Sequence, residues 1–208
     1  MSVKSEISHR GLATEKLIAF LSKKITRLPQ PKLLTYDDYA RLTPPDSGNY
    51  ELHNGKIIYR ASPLTPHQIA SSNLHTELGY FVKNQKLGRV FSAPMDVRFT
   101  KNDVVQPDLF FISNDRLGII QRIIEGAPDL VIEIKSDGNT AKEMIYKKFL
   151  YEISCVQEYW VIYPNKKTVR QYELIDDELH HVRTLTIVDT LKSIVLSGFE
   201  MSVSAIFE

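Results

Sequence analysis

The segment Asp129-Leu130-Val131-Ile132-Glu133-Ile134-Lys135 constrains the fold of this chain more than any other. Its first half is apolar on both faces, which is typical of a strand at the centre of a sheet that is covered on both sides. Because side chains alternate along a strand, Glu133 and Lys135 share a face near its carboxyl end. The segment therefore predicts a central strand that carries two opposite charges to the end of a buried sheet.

Two interpretations of Glu133 and Lys135 are open. A structural ion pair could close the strand, because a lone charge in the core is costly. The other interpretation is that both residues belong to a catalytic site, and Asp108 favours this second interpretation. Asp108 follows Pro107 within the apolar run 104–112, which predicts a strand with an edge or a bulge at the proline. Strand interiors are depleted in Asp, so Asp108 needs a partner, and a divalent cation shared with Glu133 would supply one.

Hard oxygen ligands of this kind suit Mg²⁺, with Mn²⁺ as a substitute. Lys135 would then orient or help to deprotonate a water aimed at a phosphate, and its charge would stabilise the transition state. Glu51, on a predicted hairpin strand, is a third carboxylate that could complete the metal site. A glutamate on the solvent face of a hairpin is the alternative interpretation of Glu51.

Strands and helices are mixed along the chain, which predicts a mixed α/β domain. Asn54-Gly55 between two alternating runs predicts a hairpin, because both turn residues take positive φ. Pro66 opens a helix over 66–84 with Ile69, Leu74, Leu78 and Phe81 facing inward. Further helices are expected from Thr35 to Leu42 and over 139–153. Further strands are expected at 90–92, 95–99, 158–163, 169–174 and 179–185.

Residues 1–32 predict a basic helical arm on a domain formed by residues 33–208. The arm holds seven Lys or Arg and two Glu, a charge of +5, so the remaining residues sum to −4 in a chain of net charge +1. An amphipathic helix is expected over 14–26. The arm could contact phosphates, dock on the domain or on a second subunit, or be a solvated helix face.

Composition excludes several classes of protein. No stretch approaches 18 apolar residues, so no membrane span is expected. The N-terminus lacks the apolar core of a secretory signal. Cys155 is the only cysteine, which excludes an intrachain disulfide and a thiolate metal cluster. Together these features predict a cytoplasmic protein.

The pattern Pro-Asp, a spacer of about two dozen residues and then Glu-x-Lys resembles the PD-(D/E)xK nuclease superfamily. More narrowly, the chain is similar to a bacterial family, abundant in cyanobacteria, of restriction-endonuclease-like proteins that was long catalogued as a domain of unknown function. The similarity covers roughly residues 34–174, and the arm lies outside it. It is carried in order by the stretches 50–56, 62–63, 66–68, 93–97, 105–109, 126–134 and 158–162.

The resemblance implies a restriction-endonuclease-like core, a central mixed β-sheet flanked by helices. It also implies metal-dependent hydrolysis of DNA. Asp108, Glu133 and Glu51 would hold Mg²⁺, and Lys135 would orient or help to deprotonate the attacking water. A homodimer is expected, as many nucleases of this fold act as dimers. Cys155 stands where the family commonly has Gly, and we expect a small buried side chain there.

The resemblance also covers the helix after the Glu-x-Lys pair. Glu143, Lys147 and Tyr151 follow at four-residue spacing and so share one helix face. Lys147 would approach phosphate and Tyr151 would hydrogen-bond a ligand carboxylate. A surface ion pair between Glu143 and Lys147 is the alternative.

His67 and Gln68 open the long helix, whose N-terminus attracts phosphate. Either residue could contact substrate, although helix capping or packing explains both. A different function also stays open for the whole chain. Its near-neutral body and basic arm fit a catalytically inactive DNA-binding or regulatory module that keeps the nuclease fold.

Overall fold

The computed structural model describes residues 32–43, 50–136 and 140–208. Within these ranges the α-helices are α1 (Tyr36–Leu42), α2 (Thr65–Gln85) and α3 (Ala141–Ile153). A six-stranded sheet contains β3 (Gly88–Ser92), β6 (Leu109–Ser113), β8 (Leu130–Ile134), β9 (Glu158–Tyr163), β10 (Thr168–Ile175) and β11 (Glu178–Leu185). A five-stranded sheet contains β1 (Tyr50–His53), β2 (Lys56–Tyr59), β4 (Val97–Thr100), β5 (Asp103–Val105) and β7 (Ile124–Glu125). A small pair contains β12 (Thr190–Lys192) and β13 (Glu200–Ser202).

Strand β8 lies inside the six-stranded sheet, whose order is β11-β10-β9-β8-β6-β3. It runs parallel to β9, with Ile132 opposite Trp160, and antiparallel to β6. Helix α3 makes the crossover between β8 and β9, as a parallel pair requires. The central apolar strand and the mixed α/β fold predicted from the sequence are confirmed.

The two faces of β8 belong to two separate cores. Leu130, Ile132 and Ile134 pack with Leu74 and Leu78 of α2. Val131, on the other face, packs with side chains of α3 and of the five-stranded sheet. Glu133 therefore points into the core between β8, α3 and the second sheet, because side chains alternate along the strand.

The prediction of one strand over 104–112 is wrong. Strand β5 ends at Val105 in the five-stranded sheet, and β6 begins at Leu109 in the six-stranded sheet. Gln106, Pro107 and Asp108 cross from one sheet to the other. Proline has no N–H to donate to a ladder, which suits a segment that leaves one sheet before it joins the next. Asp108 thus stands at a crossing between sheets, and β6 lies between β8 and β3.

The hairpin is confirmed, with Asn54 at φ 45° and Gly55 at φ 69°. Helix α1 is also confirmed, and Thr35 caps it by accepting a hydrogen bond from the N–H of Asp38 at 3.4 Å. The helix predicted over 14–26 lies outside the described residues.

Helix α2 begins one residue before Pro66, and its buried face includes Leu74 and Leu78 as predicted. Phe81 is partly buried against the same core. Ile69 does not face inward; 38% of its surface is exposed, because Ala70 takes the buried position in that turn. Among the described helices none has the length and apolar character needed to cross a membrane.

Cys155 follows α3, and the expectation that it is buried is wrong. It is exposed and has φ 58°, in the left-handed region. The chain turns sharply here, since the N–H of Val156 donates to the carbonyl of Tyr151 at 3.0 Å. Glycine adopts this conformation without the Cβ clash that other residues suffer, which explains why Gly suits the position.

We predict that Cys155→Gly raises the free energy of unfolding by about 0.5–1 kcal/mol, because removing the Cβ relieves strain and only part of the gain is lost to unfolded-chain entropy. Urea unfolding measures the change. Cys155→Ser keeps the Cβ and is the control, expected within about 0.5 kcal/mol of the wild type. A Gly variant no more stable than the Ser variant would contradict the strain argument.

Candidate active site

Three buried carboxylates converge from three parts of the fold. Glu51 lies on β1, Asp108 on the crossing between the sheets, and Glu133 on β8. Their residues are 0%, 4% and 3% exposed. Buried carboxylates are stable only with charged or hydrogen-bonding partners, so the groups around them define the site.

Lys147 of α3 joins two of the carboxylates. Its Nζ lies 3.0 Å from Glu51 Oε1, and 3.0 Å and 3.2 Å from the two carboxylate oxygens of Glu133. The residue is 1% exposed. The alternative of a surface ion pair between Glu143 and Lys147 is therefore wrong. Lys147 faces the core because it lies on the buried face of α3, together with Leu150 and Tyr151.

Tyr151, one helical turn after Lys147, donates its hydroxyl proton to Glu133 Oε1 at 2.5 Å. Burial, together with the charge of Glu133, holds the pKa of Tyr151 well above its ordinary value, so the hydroxyl stays protonated. Glu143 lies one turn before Lys147, in the first turn of α3, where its N–H donates to Thr140 Oγ1 at 3.1 Å. The predicted four-residue spacing thus brings Lys147 and Tyr151 to the same carboxylate.

Arg60 is a second cation at the site that sequence reasoning missed. Its guanidinium donates to Asp108 Oδ1 at 3.1 Å and to the carbonyl of Gln106 at 2.6 Å, and lies 3.5 Å from Glu51 Oε1. The hairpin register offered a signal for it. Glu51 is opposite Ile58, so Arg60 is its diagonal neighbour on the same face.

His53 and Gln106 hold Glu51 in place. His53 Nε2 lies 2.7 Å from Glu51 Oε2, and the N–H of Gln106 donates to Glu51 Oε1 at 2.8 Å. His53 is two residues after Glu51 on one strand, so period-two alternation could have identified it. Gln106 could not be identified from sequence, because its contact depends on the crossing between sheets.

His67, in the first turn of α2, contacts Asp108; its Nε2 lies 3.2 Å from Oδ2. The same oxygen accepts a hydrogen bond from the N–H of Ile134 at 2.7 Å. His67 is buried, and its backbone N–H donates to the carbonyl of Leu64 at 3.0 Å. Gln68, the next residue, is exposed. The structure therefore brings His67 to the carboxylate cluster and leaves Gln68 at the surface of α2.

Lys135 follows the last residue of β8. Its backbone N–H donates to the carbonyl of Ile162 at 2.8 Å, which continues the parallel pairing with β9. Its Nζ donates to the carbonyl of Ser136 at 2.7 Å. The side chain is half-buried and lies two residues after Glu133, directly past the end of β8.

The three carboxyls differ in their electrostatics. Burial by itself would raise the pKa of Glu51, but the charge of Lys147 and the hydrogen bond to His53 outweigh burial and lower this pKa well below its ordinary value. Burial likewise opposes ionisation of Asp108, yet His67 and Arg60 lower its pKa. At Glu133 burial and the charge of Asp108 prevail, so its pKa is raised in spite of Lys147. Glu133 is thus the carboxyl whose negative charge is least compensated.

The chemistry of this donor set fits a hard divalent cation, since its oxygens are carboxylates. Two buried polar atoms of residues that contact the carboxylates, His67 Nδ1 and Gln106 Oε1, find no hydrogen-bond partner in the part of the chain that the structure describes. Unsatisfied polar atoms of this kind suit a hydrated ligand. In the arrangement seen, however, Lys147 and Arg60 stand among the carboxylates, and no three His, Cys, Asp or Glu of the described ranges form a metal cluster.

This fold, with an acidic cluster at the end of its central strand, defines the restriction-endonuclease-like class of nucleases that the motif predicted. The family model Uma2, described as "Putative restriction endonuclease", matches residues 36–204, and the chain belongs to that family. The crystal structure of a "putative nuclease" from Anabaena variabilis ATCC 29413 is similar with a TM-score of 0.72 and 23% identity, over 84% of this chain and 97% of that one. No curated protein matches significantly.

We predict that Lys147→Met lowers the free energy of unfolding by about 3–5 kcal/mol near neutral pH, because it leaves Glu51 and Glu133 buried without their cation. Their pKa values in the folded state should then lie above those in the unfolded state. A carboxyl with a raised pKa binds its proton preferentially in the folded state, so stability is lost as pH rises through that pKa. The deficit relative to wild type should therefore be larger at roughly pH 8 than at pH 5.

Urea unfolding at the two pH values measures both effects. Lys148→Met is the matched control, since Lys148 is half-buried and pairs with Glu152 at 2.8 Å on the surface of the same helix. The control should lose less than about 1 kcal/mol at both pH values. Equal deficits for Lys147→Met at both pH values would show that Glu51 and Glu133 do not gain protons when Lys147 is lost.

Proposed function

We propose that the protein is a divalent-metal-dependent endonuclease that hydrolyses phosphodiester bonds in DNA. The observation that carries the proposal is the convergence of Asp108 and Glu133, the two halves of the motif. The N–H of Ile134, the residue after Glu133 and 26 positions after Asp108, donates to Asp108 Oδ2 at 2.7 Å. Membership of a nuclease family supports the reaction class.

Asp108, Glu133 and Glu51 would hold Mg²⁺, or Mn²⁺ in its place. The metal would supply Lewis acidity and lower the pKa of a bound water. Glu51 has more protein partners than the other two among the described residues, since His53, Gln106, Lys147 and Arg60 all contact its carboxylate. Its principal role would be to hold Lys147 and Arg60 around the other two carboxylates.

The cations and hydroxyl of the site would act on the water and on phosphate. Lys135 would orient the attacking water, and Lys147 would stabilise negative charge that develops on the phosphate. Tyr151 would keep Glu133 Oε1 oriented through its hydrogen bond. His67 would contact substrate beside Asp108, and Gln68 would do so from the exposed surface of α2. A homodimer and a cytoplasmic location stay predictions.

We predict that Glu133→Gln and Asp108→Asn each reduce cleavage of plasmid DNA in Mg²⁺ or Mn²⁺ by at least about 10²-fold, because each replaces a carboxylate that would hold the metal. Both substitutions keep the side-chain volume, and circular dichroism checks that the variants fold. Asp115→Asn, at an exposed aspartate, is the control and should cleave normally. Undiminished cleavage by a folded Asp108→Asn variant would refute the proposal.

We predict that Lys135→Gln lowers kcat by about 10²–10⁴-fold while KM changes little, because a group that positions the water contributes to the transition state. Its urea midpoint should stay near that of the wild type, since the side chain is half-buried. Lys142→Gln, at an exposed lysine in the first turn of α3, is the control. A fully active Lys135→Gln variant would show that Lys135 does not position the water, and would leave Lys147 as the cation that acts in catalysis.

A second candidate function is a nuclease-fold DNA-binding or regulatory module without turnover. The observation that favours it is that all six oxygens of Glu51, Asp108 and Glu133 accept from, or lie within salt-bridge distance of, protein donors. Salt-dependent binding of DNA without cleavage in either metal, and no heat on titration with Mg²⁺, would select this function. Mg²⁺ binding abolished by Glu133→Gln would select the nuclease.

A further inference from the structure

A basic cleft lies outside the candidate active site, between the carboxyl half of α2 and strand β3. Its volume is about 480 Å³. Lys83 and Lys86 line it from the end of α2, Arg89 lines it from β3, and Asn114 lines it from the loop that follows β6. His75 also lines it, one turn before Gly79. The end of α2 and the start of β3 are adjacent in sequence and Asn114 comes from a more distant segment, and together these residues make a concave, positively charged surface.

The three cations of this cleft have no carboxylate beside them. Lys83, Lys86 and Arg89 are exposed, and none forms an ion pair with any residue in the described ranges. The lining contains no Asp or Glu; Asp115 and Glu77 are close in sequence but are not part of it. Like charges gathered without counter-charges repel each other, and an anionic ligand would relieve the repulsion.

Gly79 is the second observation that points to a ligand. It lies in the interior of α2, where glycine costs about 1 kcal/mol relative to alanine. Packing does not require glycine there, since a Cβ at Gly79 would meet only the ring of His75, at an ordinary 3.8 Å. Because Gly79 has no side chain, the cleft that it lines stays open. The helix thus keeps a residue that weakens it at the position where a larger side chain would project into the basic surface.

The walls of the cleft are held by hydrogen bonds and close packing. Asn114 Nδ2 donates to the carbonyl of Lys86 at 2.6 Å, and its N–H donates to the carbonyl of Leu87 at 3.0 Å. Gly88 begins β3 so close to β6 that an added Cβ would lie 2.0 Å from the carbonyl oxygen of Ile112. The spacing between Lys86 and Arg89 is therefore set by the fold.

We propose that this cleft binds the sugar–phosphate backbone of a nucleic-acid duplex at phosphates remote from the scissile one. Arg89 is opposite Ile112 on β6, four residues beyond Asp108, which is roughly 14 Å along the strand. That distance corresponds to about four base pairs of duplex at ~3.4 Å each. The inference rests on the proposed function for the identity of the ligand, but the cleft would bind the backbone without metal and without cleavage.

The test is binding of a fluorescent duplex of about 20 base pairs, roughly two helical turns, to the full chain in EDTA over a range of salt concentrations. The variant Lys83→Gln/Lys86→Gln/Arg89→Gln should bind about tenfold or more weakly at ~0.1 M salt, with the slope of log K against log salt reduced by about 2–3, because each phosphate contact contributes about 0.9. Lys166→Gln/Lys167→Gln/Arg170→Gln makes the same change of charge at exposed positions elsewhere and should bind nearly as the wild type does.

A second pair of variants tests the cleft without removing a cation. Gly79→Glu places a carboxylate in the cleft and should weaken duplex binding, whereas Gly79→Ala should bind normally. Both should raise the thermal midpoint, because both residues favour a helix more than glycine does. Weakened binding with a raised midpoint cannot come from unfolding.

Three outcomes would overturn the inference: equal losses in the two triple variants, an unchanged salt slope, or normal binding by Gly79→Glu. Flotation with phosphatidylserine–phosphatidylcholine vesicles tests a membrane as the alternative ligand. If vesicle binding depends on the three cations and duplex binding does not, the cleft binds a membrane surface. Failure of the proposed function is distinguishable, because a protein that never cleaves DNA can still show cleft-dependent binding in EDTA.

Discussion

The ammonium of Lys147 is the contact on which the rest of the site depends. A buried ammonium is stable only when anions surround it, and Lys147 finds them on Glu51 and Glu133, which belong to different sheets. One side chain therefore ties helix α3 to both sheets at once. The carboxylates have the converse need, and the ammonium of Lys147 contacts both of them at 3.0 Å. The same contact therefore both packs α3 against the sheets and balances the charge of the site.

The same balance of charge shapes the rest of the cluster. Three carboxylates face two cations, Lys147 and Arg60. The pKa of Glu133 is raised, because it is buried and lies near the charge of Asp108. Backbone N–H groups of Gln106 and Ile134 stabilise the other two carboxylates. Each of these N–H donors lies where a strand begins or ends, so the pairing of the sheets leaves it available to a side chain.

Much of this arrangement could be predicted because it is local. The hairpin follows from two turn residues that accept positive φ, the central strand from an uninterrupted apolar run, and the shared face of Lys147 and Tyr151 from four-residue spacing. The run 104–112 was misassigned for an equally local reason. An apolar segment reads as one strand whether it stays in one sheet or, as here at Pro107, crosses to another. Gln106 was missed because its contact with Glu51 forms only after that crossing, and the contacts of Arg60 with Gln106 and Asp108 depend on the crossing too.

By itself, the amino-acid sequence determined the mixed α/β fold, the place of Glu133 near the end of a central strand and the membership of a nuclease family. Periodicity and motif spacing depend on residues that are close along the chain. Only the tertiary structure decided that Lys147 lies between Glu51 and Glu133, that Arg60 and His67 contact Asp108, and that three cations from α2 and β3 share one cleft. The groups of the active site come from segments far apart along the chain, whereas the three cations of the cleft are close in sequence and are brought to one surface by the turn between α2 and β3. The proximity of the active-site groups depends on which sheet each strand joins and which helix face is buried, and no local pattern encodes either.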